Sequence, residues 1–370
     1  MTLVKLTHLL MTVSGESLKV LSAPLGDHRV LARPGPQRGR PLWILDPLAA
    51  AIWDAARTGL TAEEIVAYLA AQFALPLAQV QADVARVLTT WGGATDAPTW
   101  TLHLADRRIA LTVANSKLAD GLEPLIAHLQ AEPDGPVHAR LRLAGTAADW
   151  QLFVDGSLAI AGNTLDAAIA RTVAELGEAA CATDQRLLVL HAAGVSRAGQ
   201  GLLLIGPGGA GKTTLAAALN ASGWELLSDD VVPVTPDGQL LGVGMSLCLK
   251  AGSWPALAPW LPDLDRAPLI ERAGQPVRFS SPPGPIHRGP LPTAAFVFPR
   301  YRPGKEATLE PLDPVRVLQG LIEAQSVIAE LTQDKLVALT RWIGSAPGFA
   351  LTYPDLESAL KLIASLPMAS

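Results

Sequence analysis

Apolar positions change their spacing along the first part of the chain, and each spacing predicts a different element. Two short β-like runs, Lys19–Leu21 and Arg29–Ala32, flank the turn-forming residues Pro24–His28 and predict a hairpin. Apolar residues then recur at helical spacing and predict three helices: Pro47–Ala56, Ala62–Phe73 and Ala78–Trp91. A hairpin with three short helices indicates a small winged-helix-like α+β domain, which we assign to residues 1–95.

The remainder of the chain alternates strand and helix patterns, which is typical of an α/β domain. The glycine-rich stretch Gly92–Pro98 is predicted as a linker, so this second domain covers residues 99–370. Its first part, residues 99–180, has no catalytic constellation and is expected to act as an N-terminal α/β extension. Further on, Gly238–Leu249 is predicted as a strand, and the tryptophan- and proline-rich Trp254–Pro262 as a lid or wall.

A glycine-rich stretch follows the apolar strand pattern Leu202–Ile205. Gly206–Thr213 fits the phosphate-loop pattern G-x-x-x-x-G-K-[ST], and Thr213–Asn220 after it predicts a helix. Glycines let the backbone bring its N–H groups to phosphate oxygens, and the helix N-terminus adds unpaired donors and a positive dipole end. The stretch predicts a nucleotide site formed by Gly206, Gly208, Gly209, Ala210, Gly211, Lys212, Thr213 and Thr214.

Three ionisable residues flank this loop in the sequence. Asp229 and Asp230 follow Lys212 by 17 and 18 residues and lead into an apolar run, where carboxylates are costly unless they meet a cation. Beside a phosphate loop, one aspartate can hold Mg²⁺ while the other positions or deprotonates an attacking hydroxyl. His191 directly follows the apolar run Leu187–Leu190. A histidine at the end of a strand can have a catalytic role or a purely structural one.

The order and spacing of these features resemble those of bacterial HPr kinase/phosphorylases over residues 185–305. The related nucleotide-binding core of phosphoenolpyruvate carboxykinases has a similar Gly-Lys-Thr-Thr-Leu run and a later Asp-Asp pair. The resemblance implies an α/β P-loop kinase core that uses ATP and Mg²⁺. It also implies the residue roles: Lys212 contacts phosphates, Thr213 and Asp230 hold the metal, Asp229 is the general base, and His191 supports the phosphate or the base.

The sequence departs from the HPr kinases at two places. Thr213-Thr214 stands where those kinases usually have Ser-Glu, which removes a second metal contact. Their signature Glu-Ile-Arg-Gly-Leu-Gly is weakened here to Ile286–Leu291, in which Arg288 is expected to clamp a phosphate. We therefore expect kinase activity without phosphorylase activity. Carboxykinase chemistry is not expected, because the sequence has no obvious second metal site with a lysine and a histidine.

The N-terminal helices resemble PqqD-type peptide chaperones. The resemblance rests on Leu45-Asp46, on Ala50–Trp53 and on Leu60–Ile65. It implies that the leader of a ribosomally made precursor peptide binds as an added strand at the hairpin edge. Winged-helix modules often bind DNA, but residues 46–91 have a net charge of −3, which is poor for phosphate contact. A structural or dimerising helical domain is the alternative.

Composition narrows the class of protein. The 370 residues are 49% hydrophobic and 17% charged, which allows a large core, and the net charge of −5 argues against bulk nucleic-acid binding. The two cysteines lack metal-site spacing, and no stretch reaches the roughly 18 apolar residues of a membrane span. We expect a cytoplasmic protein without a signal peptide, a nucleic-acid partner or a membrane partner, and leave homo-oligomerisation open.

Together these patterns predict an ATP- and Mg²⁺-dependent kinase that phosphorylates a serine or other hydroxyl of a precursor peptide captured by the N-terminal domain. Two alternatives stay open. One is a regulatory HPr-kinase-like serine kinase that acts on a folded partner protein. The other is an ATP-gated peptide chaperone without phosphotransfer.

Overall fold

The computed structural model describes residues 21–25, 28–32, 42–45, 47–57, 62–73, 75–91, 98–113, 115–132, 135–155, 157–272 and 274–367. The chain divides into two compact units. One takes its described residues from 1–99, 112–119 and 140–163, and the other takes them from 100–111, 120–139 and 164–370. The predicted linker Gly92–Pro98 lies outside the described residues, except for Pro98.

The N-terminal elements are an antiparallel sheet of order β1-β2-β3 and the helices that follow it. They are β1 (Leu21–Leu25), β2 (His28–Ala32), β3 (Leu42–Leu45), α1 (Pro47–Arg57), α2 (Ala62–Phe73) and α3 (Leu77–Trp91). The hairpin is confirmed for the described residues, although Pro24 and His28 lie inside its strands rather than in the turn, and Lys19 and Val20 lie outside the described residues. The three predicted helices are confirmed to within one residue at each end.

Each of these helices buries apolar residues at helical spacing. Ile52 of α1 is buried, as are Ile65 and Leu69 of α2 and Val80 and Val84 of α3. The pairs in α2 and α3 are four residues apart, so both members of a pair lie on one face of their helix. This spacing is the reason that the sequence pattern located the helices.

A second sheet has the order β4-β5-β6-β7-β8. Its strands and the helices in the same stretch are β4 (Thr99–Leu104), β5 (Arg107–Val113), α4 (Ser116–Ile126), β6 (Ala139–Thr146), β7 (Asp149–Val154), β8 (Ser157–Gly162) and α5 (Leu165–Cys181). The alternation of strands and helices predicted for residues 99–180 is confirmed. The sequence pattern missed β8, which pairs with β7 and is built largely from small residues.

The remaining elements follow in the sequence. They are β9 (Leu188–Leu190), β10 (Ala192–Arg197), β11 (Gln200–Ile205), α6 (Lys212–Ala221), β12 (Glu225–Ser228), β13 (Val232–Val234), β14 (Leu240–Leu241), β15 (Leu247–Lys250), α7 (Trp254–Leu257), β16 (Leu269–Arg272), β17 (Gln275–Ser280), β18 (Pro290–Leu291), β19 (Thr293–Tyr301), β20 (Thr308–Leu312), α8 (Pro314–Glu323), α9 (Gln333–Gly344), β21 (Gly348–Tyr353) and α10 (Leu356–Ala364).

A six-stranded sheet of order β12-β10-β11-β19-β21-β20 forms the centre of this region. β11, β19 and β21 are mutually parallel. β12 runs in the same direction, because both β12 and β11 pair antiparallel with β10. The carboxyl ends of β12, β11, β19 and β21 therefore meet at one edge of the sheet, which is where open α/β sheets bind their ligands.

Both faces of β11, within this sheet, are buried. Leu202 and Leu204 of β11 belong to an apolar cluster with α6 and α10, whereas Leu203 and Ile205 belong to a second cluster with α8 and α9. A strand covered on both faces has a continuous apolar sequence rather than an alternating one. The unbroken apolar run Leu202–Ile205 is therefore explained by the helices that cover both faces of β11.

Two small antiparallel sheets complete the region, with the orders β18-β14-β13-β9 and β15-β17-β16. The prediction of one strand over Gly238–Leu249 is wrong, because residues 242–246 separate β14 from β15. Gly244 adopts a φ of +69°. Its N–H donates to the Leu227 carbonyl at 2.7 Å, so the chain turns back against β12 at this point.

Of the helices in the described part of the chain, none has the length and apolar character needed to span a bilayer.

Candidate functional site

The glycine-rich loop joins the end of β11 to the start of α6. Gly209 and Gly211 have φ values of +83° and +92°, which lie in the left-handed region that residues other than glycine rarely adopt. A Cβ atom on Gly211 would meet the Tyr353 hydroxyl oxygen at 2.5 Å. The sequence therefore needs glycine at this position both for the turn and for the close approach of β21.

Lys212 is the first residue of α6, and its side chain is buried. Its Nζ donates to the Gly206 carbonyl at 2.7 Å and to the Pro207 carbonyl at 3.4 Å. Burial lowers the pKa of Lys212, while the charge of Asp230 acts in the opposite direction. The loop carbonyls thus hold the ammonium at the loop, where it can exchange these partners for phosphate oxygens.

Asp229 lies immediately beyond β12 and is only 4% exposed. Its Oδ2 accepts a hydrogen bond of 2.9 Å from the Cys248 N–H. Burial, with a smaller contribution from the charge of Asp230, raises the pKa of Asp229 to about 7. A carboxyl group with this pKa can exchange a proton at neutral pH, as a general base must.

Asp230 points toward His191. The Asp230 Oδ1 and the His191 Nδ1 are 3.3 Å apart, and both side chains are about half exposed, at 50% and 43%. Burial lowers the pKa of His191, although Asp230 counteracts the shift. The histidine can therefore orient the carboxylate of Asp230 while remaining largely neutral at pH 7.

Thr213 links the helix to the acidic turn, because its Oγ1 donates to the Asp229 carbonyl at 3.3 Å. Hydroxyl and carboxylate oxygens, here those of Thr213 and Asp230, are the ligands that Mg²⁺ prefers. Within the described ranges, no cluster of three or more His, Cys, Asp or Glu side chains could hold a metal ion. The described residues therefore offer no all-protein metal cage, and a Mg²⁺ held by Thr213 and Asp230 would need phosphates and water as its other ligands.

Residues 208–214 of the loop, the acidic pair and His191 line one cavity of about 940 Å³, whereas Gly206 does not line it. This volume is at the upper end for small-molecule sites, which run from about 300 to 1,000 Å³. Pro259 and Trp260 also line the cavity, so part of Trp254–Pro262 forms a wall. Several further lining residues had no site role predicted from the sequence: Cys248, Lys250, Arg272, Tyr301, Tyr353, Asp355 and Glu357.

Arg288 is not among the residues that line the cavity. Its Nη1 donates to the His103 carbonyl at 3.2 Å, and its Nη2 donates to the His128 carbonyl at 3.0 Å. The guanidinium of Arg288 thus joins β4 to the turn after α4. The structure does not bring this residue together with the other predicted site residues.

Arg272 occupies the cavity instead. It ends β16, and its Nη1 donates to the Cys248 Sγ at 3.3 Å. Burial opposes its charge, but the Cys248 sulfur and the two aspartates together raise the pKa of Arg272. No motif in the sequence marks this residue, because the β16–β17 hairpin is brought to the cavity only by pairing with β15.

The N-terminal elements contain a second feature of interest. β1 and β3 are the two edges of their three-stranded sheet. β3 leads directly into the α1–α3 helices, whose buried faces are described above. The chain matches a known family here. Residues 36–94 match the family model of coenzyme PQQ synthesis protein D (PqqD).

The PqqD match covers β3 and α1–α3 and confirms the predicted PqqD-like character of the N-terminal domain over these residues. It does not extend to the glycine-rich loop or the acidic pair. A comparison with curated proteins found no match to the chain.

Proposed function

We propose that the protein captures a ribosomally synthesised precursor peptide through its PqqD-like segment and transfers the γ-phosphoryl group of ATP to a serine or other hydroxyl of that peptide. The peptide half of this proposal is supported by the match over residues 36–94. The kinase half is supported by the residues of the cavity. The two halves can be tested separately.

The PqqD family suggests binding of a precursor peptide. The sheet that precedes α1 has two edge strands, β1 and β3, and an extended peptide can add to such an edge by main-chain hydrogen bonds. Binding of this kind depends on the backbone of the leader and on a few side-chain pockets. Because the PqqD-like segment and the cavity belong to one chain, a bound leader would raise the effective concentration of the acceptor region for the cavity.

One observation supports the kinase half above the others. A phosphate-loop sequence at the end of β11 and a buried carboxyl group at the end of the parallel strand β12 line the same cavity. The loop offers backbone N–H groups and Lys212 to phosphates, and the carboxyl group of Asp229 has a pKa raised by burial to about 7. A phosphate cradle next to a base suited to neutral pH is what transfer to a hydroxyl requires.

The mechanism follows from these positions. Lys212 Nζ exchanges the carbonyls of Gly206 and Pro207 for phosphate oxygens, and Arg272 adds a second positive charge. Thr213 and Asp230 would hold Mg²⁺, and His191 orients Asp230. Bound Mg²⁺ supplies charge that offsets the negative charge developing on the transferred group.

Asp229 removes the proton of the acceptor hydroxyl while the oxygen of that hydroxyl forms a bond to the γ-phosphorus of ATP. The bond from that phosphorus to the bridging oxygen breaks, and ADP leaves. The cavity wall formed by Pro259 and Trp260 limits access of water to the phosphorus, which favours transfer over hydrolysis.

A second candidate function is an ATP-gated peptide chaperone without phosphotransfer. It is favoured by Thr214, which stands where the HPr kinases have a glutamate that can contact the metal. In that case nucleotide binding would alter capture of the peptide, and the acidic pair would only position the nucleotide.

The test is transfer of label from γ-labelled ATP, with Mg²⁺ and the full-length chain, to precursor peptides encoded beside its gene. We expect labelled peptide from the wild type and almost none from Lys212→Ala. A Lys212→Ala protein that transfers label at the normal rate contradicts the kinase proposal. Retained ATP binding with no label on the true partner supports the chaperone, and label on a folded protein partner supports the regulatory kinase.

A further inference from the structure

The carboxyl edge of the six-stranded sheet has two chemically different sides. The acidic pair follows β12, which is separated from β11 by β10 alone. On the opposite side of β11, β19 ends at Tyr301 and β21 ends at Tyr353. The strands on each side lie within about 10 Å of β11, since neighbouring strands are roughly 4.8 Å apart. The phosphate loop thus lies between carboxylates and aromatic rings.

We propose that Tyr301, supported from behind by Tyr353, is the surface on which the base of a purine nucleotide stacks. This inference rests on the proposed nucleotide site and adds to it the recognition of the base. The reacting phosphate must lie on the side of Asp229, because Asp229 is the proposed general base that takes the proton of the acceptor hydroxyl. A nucleotide bound across the loop then extends its base toward the two tyrosines.

The contacts of the two tyrosines suit this role. Tyr301 and Tyr353 are register partners on the parallel strands β19 and β21. Their ring centroids are 5.7 Å apart with an interplanar angle of 51°, so the inner ring packs against the outer one. The Tyr353 hydroxyl lies over Gly211, so the inner ring connects the outer one to the phosphate loop.

The two rings also differ in exposure: a stacking surface needs one exposed ring to contact the nucleotide base and can use a buried ring to support it. Both tyrosines line the cavity, but Tyr353 is 2% exposed and belongs to the core, whereas Tyr301 is 53% exposed. Pro354 and Leu356 line the cavity beside them and add apolar surface. A purine has the larger aromatic face, so it gains more from this surface than a pyrimidine does.

The test compares the affinities of ATP and inorganic tripolyphosphate, both with Mg²⁺, for the full-length wild type, Tyr301→Ala and Tyr301→Phe. Loss of stacking on one ring weakens binding by about tenfold or more. We expect Tyr301→Ala to weaken ATP by that factor and to leave tripolyphosphate unchanged, and Tyr301→Phe to bind both like the wild type. The ratio of ATP affinity to UTP affinity should also fall toward one in Tyr301→Ala.

An ATP affinity unchanged in Tyr301→Ala, or an equal loss for ATP and tripolyphosphate, would overturn the stacking proposal. Lys212→Ala tests the nucleotide site itself, because it should weaken both ligands. If Lys212→Ala leaves both affinities unchanged, the proposed phosphate site is wrong. Because Tyr301 is half exposed, its substitution should leave thermal unfolding close to that of the wild type, which serves as the folding control.

Discussion

The Cys248 main-chain N–H donates a 2.9 Å hydrogen bond to the Oδ2 of Asp229, the buried carboxyl group beyond β12. The bond favours the ionised carboxylate, whereas burial favours the neutral acid. Burial is the larger effect and raises the pKa of Asp229 to about 7. β15 therefore positions a carboxyl group whose proton is exchangeable at neutral pH, beside a loop suited to phosphates.

This pKa predicts how stability depends on pH. The carboxyl group of Asp229 has a pKa of about 7 when folded and an ordinary value of 3.8 when unfolded, so the folded protein binds more protons between these values. The free energy of unfolding of the wild type should fall as pH rises from about 4 to about 7. Asp229→Asn should remove that fall, which amounts to at most about 4 kcal/mol at pH 8.

Denaturant unfolding of the wild type and Asp229→Asn across this pH range measures the effect. Asp184→Asn, which changes an exposed aspartate outside the cavity, is the control and should keep the pH dependence of the wild type. The same pH dependence in Asp229→Asn as in the wild type would show that this carboxyl group ionises normally.

The two arginines should differ in their effect on transfer. Arg272→Ala removes a charge that lines the cavity and should reduce the rate by about 100-fold, as removal of a transition-state donor does. Arg288→Ala should reduce it far less, because Arg288 contacts the carbonyls of His103 and His128 instead. Steady-state kinetics of both variants decide the point, and a larger loss for Arg288→Ala would restore the role expected from the sequence resemblance.

Gly211→Ala should destabilise the nucleotide-free protein. The new Cβ would be 2.5 Å from the Tyr353 hydroxyl, at a φ of +92°, so we expect a loss of at least about 1–2 kcal/mol. Gly208→Ala is the matched control, because no atom lies within 4 Å of its added Cβ. Thermal unfolding of the two variants should therefore differ, and equal melting temperatures would mean that the loop is not held against β21.

A leader fragment that lacks the acceptor hydroxyl should compete with the whole precursor peptide. The fragment would occupy the PqqD-like segment, so it should raise the KM for precursor and leave the KM for ATP unchanged. A scrambled fragment of the same composition is the control. Equal inhibition by both fragments would indicate that the leader is not recognised.

Local patterns predicted much of this molecule. The spacing of Ile65 and Leu69 located α2 because one buried face is enough to set a helical period. The phosphate-loop pattern could be recognised because its glycines and Lys212 lie within one short stretch of sequence. Asp230 and His191 were singled out because of the short strand patterns beside them, and the structure places their Oδ1 and Nδ1 atoms 3.3 Å apart.

Residues that reach the cavity by long-range pairing gave no such signal. Arg272 depends on the pairing of β17 with β15, and Tyr301 depends on the length of β19. Arg288 was singled out from a short signature, but its position is set by carbonyls of a stretch about 160 to 185 residues earlier in the chain. A pattern within one segment cannot indicate which distant backbone will take its hydrogen bonds.

The most direct test of the central claim is formation of phosphopeptide by the wild type and Asp229→Asn, with ATP affinity measured on the same samples. The account predicts phosphorylation of a precursor hydroxyl by the wild type and a rate at least about 100-fold lower in Asp229→Asn, the usual contribution of a general base. ATP affinity should stay near the wild-type value. Phosphorylation by Asp229→Asn at the wild-type rate, or no phosphopeptide from a wild type that binds both ATP and the precursor, would contradict it.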